Sequence, residues 1–132
     1  MKRPLPFHPR AGQVLVADFK GMVAPEIIKV RPVVVISPKL AHRSGLVTIV
    51  PLSTTAPRQE LPYVFKMSKN YTPWGEQADS SWAKCDLVMS VSLSRLSSFK
   101  IDRRKYHSPS IDADDLAGIR KAVLAGLGLD GY

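Results

Sequence analysis

The sequence lacks the residues that commonly crosslink small folds or bind a metal in them. Cys85 is the single cysteine among 132 residues, which excludes an intramolecular disulfide and a cysteine-rich zinc site. The histidines His8, His42 and His107 are scattered without the spacing of metal ligands. We therefore expect no metal site, and a fold that is held together by its apolar core.

Long apolar runs are also missing. No run approaches the roughly 18 residues that a membrane-spanning helix needs. The first ten residues, MKRPLPFHPR, have the positive charge of a signal peptide, but no apolar stretch follows them. We therefore expect a cytoplasmic protein that does not enter a membrane.

Acidic residues are scarce: eleven Asp and Glu stand against nineteen Lys and Arg, a formal net charge of +8. Residues 1–50 hold eight basic and two acidic side chains, whereas residues 101–132 hold five of each and are neutral. A basic half beside a neutral tail favours a surface that faces a polyanion, although such a charge can also serve solubility alone. Charge by itself does not name a function.

The patterning predicts a mainly β domain with one C-terminal helix. Residues 31–37 contain four consecutive β-branched residues between two prolines, the composition of a strand buried on both faces. Short strands at irregular spacing favour a small barrel over a doubly wound sheet. The predicted strands are residues 13–19, 31–37, 46–52, 63–67 and 81–91, the last bent near Asp86 and readable as one strand or two.

The apolar period becomes helical after residue 111. Asp112 can cap a helix there, and Gly126 and Gly128 mark its end, so we predict a helix over about residues 113–126. The first eleven residues contain three prolines and are expected to form an irregular arm. We expect residues 12–132 to form one domain.

Familiar catalytic motifs are absent: the sequence has no G-x-S-x-G, no phosphate-binding loop and no H-E-x-x-H. Polar residues next to strand ends remain as candidates. Arg31 opens the most apolar strand, residues 53–55 (Ser-Thr-Thr) close the third, and Lys84 and Asp86 would share a face in an extended chain.

Each candidate also has a purely structural interpretation. Arg31 can pair with Glu26 on the surface, and Asp86 can pair with Lys84. The Ser-Thr-Thr run can cap its own turn. Both tryptophans, Trp74 and Trp82, suit the core better than a platform for stacking bases.

A resemblance to a known family favours the functional interpretation. The segments that carry it occur in this order: GQV (12–14), ADF (17–19), RPVVVIS (31–37), IVPLST (49–54), Cys85-Asp86 and Arg95-Leu96. With them the chain resembles the MazF/PemK (Kid) family of toxin endoribonucleases over about residues 12–127. The specific part is the apolar strand opened by Arg-Pro and followed by Val-Pro-Leu-Ser-Thr.

The resemblance implies an SH3-like barrel of the MazF/PemK/CcdB type with a C-terminal helix, assembled as a homodimer. It implies the toxin of a type II toxin–antitoxin system, which cuts single-stranded RNA, usually mRNA, at short sequences without a metal or cofactor. The 2′-hydroxyl attacks the adjacent phosphorus and leaves a 2′,3′-cyclic phosphate. The implied partner is a cognate acidic antitoxin that folds along the basic groove.

By position in the family pattern, the resemblance implies five catalytic candidates. Arg31 would stabilise the phosphorane, with proton donation as a second role left open, and Thr54 would bind the scissile phosphate. Glu26 would order either the first loop or the arginine. Asp86 would be the base and Lys84, where the Kid-like branch has arginine, the acid; alternatively, Asp86 is structural and only Arg31 and Thr54 act. The implied RNA contacts are Lys20, Lys29, Ser53, Thr55, Arg58 and Gln59.

The chain departs from the family pattern in two further places. The first loop, residues 20–30, lacks the usual Gly-Ser-Glu-Gln pattern, so no cleavage sequence is implied. Residues 100–110 look like an insertion, in which Arg103, Arg104 and Lys105 can contact phosphate or form a solvated basic turn. Two other functions therefore stay open, a gyrase poison of the CcdB type and a non-catalytic RNA- or DNA-binding module.

Overall fold

The computed structural model describes residues 5–73 and 80–131, which fold into nine short strands and one helix. Two 3₁₀ turns, Cys85–Leu87 and Leu93–Arg95, interrupt the later strands. The elements are β1 Val14–Ala17, β2 Arg31–Val35, β3 Leu46–Ser53, β4 Val64–Lys66, β5 Trp82–Lys84, β6 Met89–Ser92, β7 Leu96–Ser97, β8 Phe99–Asp102, β9 Lys105–His107 and α1 Ala113–Gly126.

Seven of the described strands form one antiparallel sheet that bends around β3. The main order is β4-β5-β3-β2-β1-β7, and β6 also pairs with β3. On one side β3 pairs with β2; on the other, residues 46–49 pair with β6, and Leu52 and Ser53 pair with β5. Pro51, which has no N–H to donate, lies where the partner changes. Because β3 has two successive partners on one side, the sheet curls into a small barrel.

The three central strands are buried on both faces because alternate residues serve two core clusters. Val34 of β2 packs in the cluster that contains Ile119 and Val123 of α1. Val33 and Val35 pack in the other cluster, around Phe19 and Leu96. The prediction of a strand buried on both faces is therefore confirmed for residues 33–35, all of which have no exposed surface.

The helix begins at a capped residue, as predicted. The Asp112 carboxylate accepts the N–H of Asp115 at 2.8 Å. Asp115 is itself buried and accepts hydrogen bonds from the hydroxyls of Ser68, at 2.8 Å, and Tyr71, at 2.9 Å. The N-terminus of α1 is thereby joined to the chain that follows β4.

The helix ends in a Schellman motif. Gly128 adopts a φ of +74°, and the N–H of Leu129 donates to the carbonyl of Leu124 at 2.8 Å. The N–H of Gly128 donates to the carbonyl of Ala125 at 3.1 Å. The sequence predicted this end from its glycines.

Residues 100–110, which the sequence identified as an insertion, have regular structure. They lie mainly in the β8–β9 hairpin, which is anchored by the fully buried Phe99 and turns at Arg103 and Arg104. The run of three basic residues, 103–105, hides the strand pattern, because two of them form the exposed tip. The hairpin therefore carries the basic turn that the sequence allowed.

Among the described residues, none of the helices is long and apolar enough to cross a bilayer.

Candidate functional site

Two adjoining cavities lie beside the ends of β2, β3 and β5. The smaller one, of about 260 Å³, lies between residues 25–29 of the first loop and the end of β3, with Arg31 in its wall. The larger one, of about 610 Å³, lies between residues 55–59 and β5. Lys84 and Leu87 line both cavities, so one ligand can extend across them.

Arg31 reaches the smaller cavity from the first position of β2. It pairs with Ala17 of β1, and its own side chain is exposed. The buried residues 33–35 fix the strand, whereas its first residue extends into solvent. The cavity also holds Lys29, Glu26 and Lys84, so three cations face one carboxylate there. That balance suits an anionic ligand such as a phosphodiester.

Glu26 closes a turn within the first loop. Its Oε1 accepts the N–H of Val23 at 2.9 Å, and its own N–H donates to the Val23 carbonyl at 2.9 Å. The resemblance left two roles for Glu26, and this geometry supports the ordering of the loop. The residue also lines the smaller cavity together with Arg31.

A buried thiol separates the two charged residues at the end of β5. Cys85 has no exposed surface, and its Sγ lies 3.6 Å from the carbonyl oxygen of Ala83. Burial raises the pKa of this thiol from its usual 9.0 to about 12, and the charge of Asp86 adds to the rise. Cys85 is therefore a neutral anchor, not a nucleophile.

Lys84 and Asp86 both line the larger cavity, but not for the reason that the sequence suggested. The prediction placed them on one face of an extended chain. Instead, Lys84 ends β5, and Asp86 lies within the 3₁₀ turn that follows. The chain is not extended there, because it turns at the buried Cys85. The bend that the sequence placed near Asp86, with a strand on either side of it, is confirmed.

Residues 53–55 form the self-capped turn that the sequence allowed. The Ser53 hydroxyl accepts the N–H of Thr55 at 3.1 Å. Ser53 lines the smaller cavity and Thr55 the larger one. Thr54 lies between them in the chain and is exposed, but it lines neither cavity.

Two aromatic residues that the sequence did not assign to the site line the larger cavity beside Arg58 and Gln59: Tyr63 and Trp82. Trp82 is half-buried, so the expectation that it belongs to the core was wrong. Its position was detectable, because in β5 it alternates with the buried Ala83 and shares a face with Lys84. Trp74 lies outside the described residues.

Lys20 lies apart from the two cavities. Its carbonyl oxygen accepts a hydrogen bond from Nη1 of Arg95 at 2.8 Å, and the same nitrogen donates to the carbonyl of Asp18 at 3.0 Å. All the predicted site residues except Lys20 and Thr54 therefore line one of the two cavities. In the described part of the chain, no group of three or more His, Cys, Asp or Glu side chains could hold a metal ion.

The family model described as the PemK-like, MazF-like toxin of type II toxin–antitoxin systems matches residues 10–126. The chain belongs to this family. The resemblance drawn from the Arg-Pro strand and the motif order is thereby confirmed.

The chain is also similar to one bacterial protein by sequence and to two solved structures by fold. The chain is 29% identical to the uncharacterised protein YifN of Escherichia coli (strain K12), a match that covers 92% of this chain and 93% of YifN. The crystal structure of MazF from Deinococcus radiodurans is similar, with a TM-score of 0.68 at 23% identity, covering 92% of this chain and 98% of that one. A mycobacterial endoribonuclease in complex with its cognate antitoxin has a TM-score of 0.64 at 20% identity, covering 92% of this chain and 97% of that one. The predicted small barrel with a C-terminal helix is confirmed.

Proposed function

We propose that this PemK-like, MazF-like toxin is a sequence-specific endoribonuclease that cleaves single-stranded mRNA without a metal. The observation that carries the proposal is the junction of the two cavities at Lys84, with Arg31 on one side and Asp86 on the other. A phosphodiester bound at this junction would lie near the guanidinium of Arg31, the ammonium of Lys84 and the carboxylate of Asp86. These groups match the needs of internal transesterification, which are a base, an acid and a cation that stabilises the negative charge of the phosphorane.

The proposed reaction uses three side chains. Asp86 takes the proton of the 2′-hydroxyl, whose oxygen then bonds to the adjacent phosphorus. Arg31 stabilises the negative charge that develops on the phosphorane oxygens. Lys84 gives a proton to the 5′-oxygen as the bond between phosphorus and that oxygen breaks. The products are a 2′,3′-cyclic phosphate and a free 5′-hydroxyl.

The rest of the strand would follow the two cavities. Lys29 and Arg58 supply cations for flanking phosphates, and the half-buried ring of Trp82 offers a surface on which a base can stack. Ser53, Thr55 and Gln59 add hydrogen-bonding groups. We assign Thr54 to the rim, where its exposed hydroxyl is within the reach of a bound strand but outside both cavities.

The proposed partner is a cognate antitoxin with an acidic segment. It is supported by the mycobacterial relative, which is described in complex with its antitoxin, and by the three cations of the smaller cavity. An acidic segment laid across the cavities would compete directly with RNA. We also propose a homodimer as the assembly that the antitoxin binds, and the cytoplasm, where mRNA is found, as its location.

Arg31→Ala tests the catalytic proposal. With a long single-stranded RNA and EDTA present, we expect the wild-type protein to leave fragments that end in cyclic phosphate. Arg31→Ala should lower the cleavage rate by at least about a hundredfold, since it removes the guanidinium that stabilises the negative charge of the phosphorane. Circular dichroism should show an intact fold, because Arg31 is exposed.

Arg43→Ala is the matched control. Arg43 is an exposed arginine in the turn after β2, at the opposite end of that strand from Arg31, and it lines neither cavity. We expect it to cleave like the wild type. Full activity in Arg31→Ala would refute the proposal. RNA that is bound but stays intact would support a non-catalytic module, and inhibition of a topoisomerase without RNA cleavage would support a gyrase poison.

A further inference from the structure

A third cavity lies at the far edge of the sheet. It has a volume of about 420 Å³ and lies between residues 5–7 of the N-terminal arm and the β8–β9 hairpin; we call it the arm–hairpin cavity. It shares no lining residue with the two cavities of the candidate site. The hairpin follows β7, which lies at the opposite edge of the sheet from β4. The arm–hairpin cavity is therefore a separate feature of the molecule.

The walls of this cavity are fixed to the barrel. The hydroxyls of Ser98 and Ser108 lie 2.7 Å apart and join the two ends of the hairpin. Gln13 directly precedes β1, and its Oε1 accepts the N–H of Arg10 at 2.7 Å. The N–H of Val14 donates to the carbonyl of Pro109 at 2.7 Å. The cavity is therefore held open between anchored segments of chain.

The lining combines aromatic, cationic and hydrogen-bonding groups. Phe7 and Tyr106 are each 37% exposed, so each presents part of its ring to a ligand. Arg104 and His107 supply a guanidinium and an imidazole, and Gln13 an amide. Aromatic rings bind nucleobases by stacking, and a guanidinium binds phosphate through two parallel hydrogen bonds. Together these groups fit a nucleotide, and a volume of this size is in the range of small-ligand sites.

The charge of the hairpin agrees with an anionic ligand. Between Phe99 and His107 it carries four Lys and Arg side chains and one Asp. The Oδ1 of that Asp102 accepts the N–H of Arg103 at 2.7 Å. Arg104 has a φ of +61°, a conformation in which glycine or asparagine is the common residue. The turn itself does not require arginine at this position. Arg104 instead supplies a cation to the lining of the cavity.

We propose that the arm–hairpin cavity is a second nucleotide site, in which a base packs against Phe7 and Tyr106 and its phosphate binds Arg104. If the nucleotide is part of the substrate RNA, the inference rests on the proposed function. The site then extends the surface of the protein that the RNA strand contacts. A free mononucleotide is the other source of the same chemistry. An acidic peptide would match the charge but leave the aromatic rings without a role.

Arg104→Gly is the decisive variant because it removes the guanidinium while placing the residue best suited to the positive φ. Its matched control is Arg103→Gly, which removes the same charge from the neighbouring position but not from the cavity lining. Both variants are made in the Arg31→Ala background, so that bound RNA is not cut. Fluorescence anisotropy with a labelled mixed-sequence single-stranded RNA gives the Kd, and calorimetry with AMP and UMP tests the free nucleotide.

We expect Arg104→Gly and Phe7→Ala each to raise the Kd for RNA about fivefold or more, and Arg103→Gly to change it less than twofold. If only the affinity for AMP or UMP falls, the site still binds a nucleotide, and its source is the free pool. Equal effects of Arg103→Gly and Arg104→Gly would overturn the proposal in favour of diffuse electrostatics. Weaker binding of a glutamate-rich peptide alone, or no change at all, would also overturn it.

The two proposals can fail separately. Absence of RNA cleavage by the wild-type protein refutes the proposed function but leaves the affinity differences measurable in the same variants. Intact cleavage with unchanged affinity in Arg104→Gly refutes the second site alone. With an active enzyme, loss of the second site should raise KM for long RNA and leave kcat unchanged, because no reacting group is touched.

Discussion

The buried side chain of Cys85 anchors the chain between two exposed charged residues, Lys84 and Asp86. Its side chain is sealed in the core cluster beneath α1, and the residues on either side of it are exposed and line the larger cavity. A deprotonated thiol would have to place a negative charge in that apolar cluster next to Asp86, which explains the raised pKa. Cys85 thus contributes to the stability of the fold as a neutral thiol.

The raised pKa of Cys85 predicts a loss of stability in alkaline solution. The pKa of Cys85 rises from 9.0 to about 12 on folding, so between these values the thiol ionises more readily in the unfolded chain than in the folded one. The folded state therefore has its full stability below pH 9 and loses part of it as the pH rises toward 12. Urea unfolding should therefore give a free energy of unfolding that falls over this range. Cys85→Ala should be less stable at pH 7 by about 0.5–3 kcal/mol but should lose less of that stability above pH 9.

Tyr71 supplies a second alkaline group and therefore a control. Burial, chiefly, raises its pKa above the usual 10.0. Tyr71→Phe should flatten the curve only above pH 10, whereas Cys85→Ala acts from pH 9. Identical pH curves for wild type and Cys85→Ala would show that the thiol does not resist ionisation.

At the scale of elements, α1 supports the 3₁₀ turn that carries Asp86. A Cβ added at Gly126, the last residue of α1, would lie 3.1 Å from the Asp86 Cα and 3.4 Å from its N. The helix and the turn therefore touch backbone to backbone, and a Cβ at this position would push the turn by a few tenths of an ångström. We regard Gly126 as a positioning residue for Asp86.

Gly126→Ala should change the RNA cleavage rate much more than the stability of the fold. Alanine improves helix propensity by about 1 kcal/mol, and the crowding of Asp86 opposes that gain, so the free energy of unfolding should change by less than about 1 kcal/mol. RNA cleavage should fall on the order of tenfold or more, as kcat, because the base is displaced. Amide chemical shifts should change at residues 85–87.

The control for this variant is Gly131→Ala, since a Cβ there meets nothing within 4 Å. It should leave cleavage and the shifts of residues 85–87 unchanged. Unaltered cleavage in Gly126→Ala would show either that the turn adapts without cost or that Asp86 is structural, which is the alternative that the sequence left open.

For the whole molecule, the position of the charged residues is more informative about RNA binding than the net charge of +8. Lys29, Arg31 and Lys84 meet in one small cavity, with Arg58 in the adjoining one. The last thirty-two residues hold α1 and most of the β8–β9 hairpin, and five acidic side chains offset five basic ones there. Three of those cations are together in the hairpin turn. The polyanion surface is therefore local, and it includes the end of the sheet that holds the candidate site.

This distribution predicts a steep salt dependence of RNA binding. Four phosphate contacts should raise the Kd for single-stranded RNA about fiftyfold between roughly 50 and 200 mM salt, because bound counterions are released on association. Arg31→Ala combined with Lys84→Ala should reduce the slope of log Kd against log salt by about 1.4. Anisotropy titrations with an RNA whose 2′-hydroxyls are methylated, which the wild-type protein cannot cut, measure both quantities. Affinity that is insensitive to salt would contradict binding of the RNA phosphates by these four cations.

Local sequence pattern is sufficient to predict several features of this protein. Four β-branched residues after Arg31 are sufficient to predict a strand buried on both faces, since such a run leaves no polar face for water. Asp112 and Gly128 fix the ends of the helix through short-range hydrogen bonds. The order of the Arg-Pro strand and the Val-Pro-Leu-Ser-Thr segment was enough to identify the family.

Which of these residues lie next to one another depends on long-range packing. Lys84 joins two cavities because β5 pairs with the far half of β3, a contact between residues about thirty positions apart that no local pattern encodes. Asp86 faces the same cavity as Lys84 because a 3₁₀ turn begins at the buried Cys85; the sequence predicted a bend near Asp86 but not its direction. The arm–hairpin cavity depends in the same way on packing between residues near the N-terminus and a hairpin about a hundred residues later. Local sequence sets backbone preference, whereas these neighbours are set by how the sheet curls around its core.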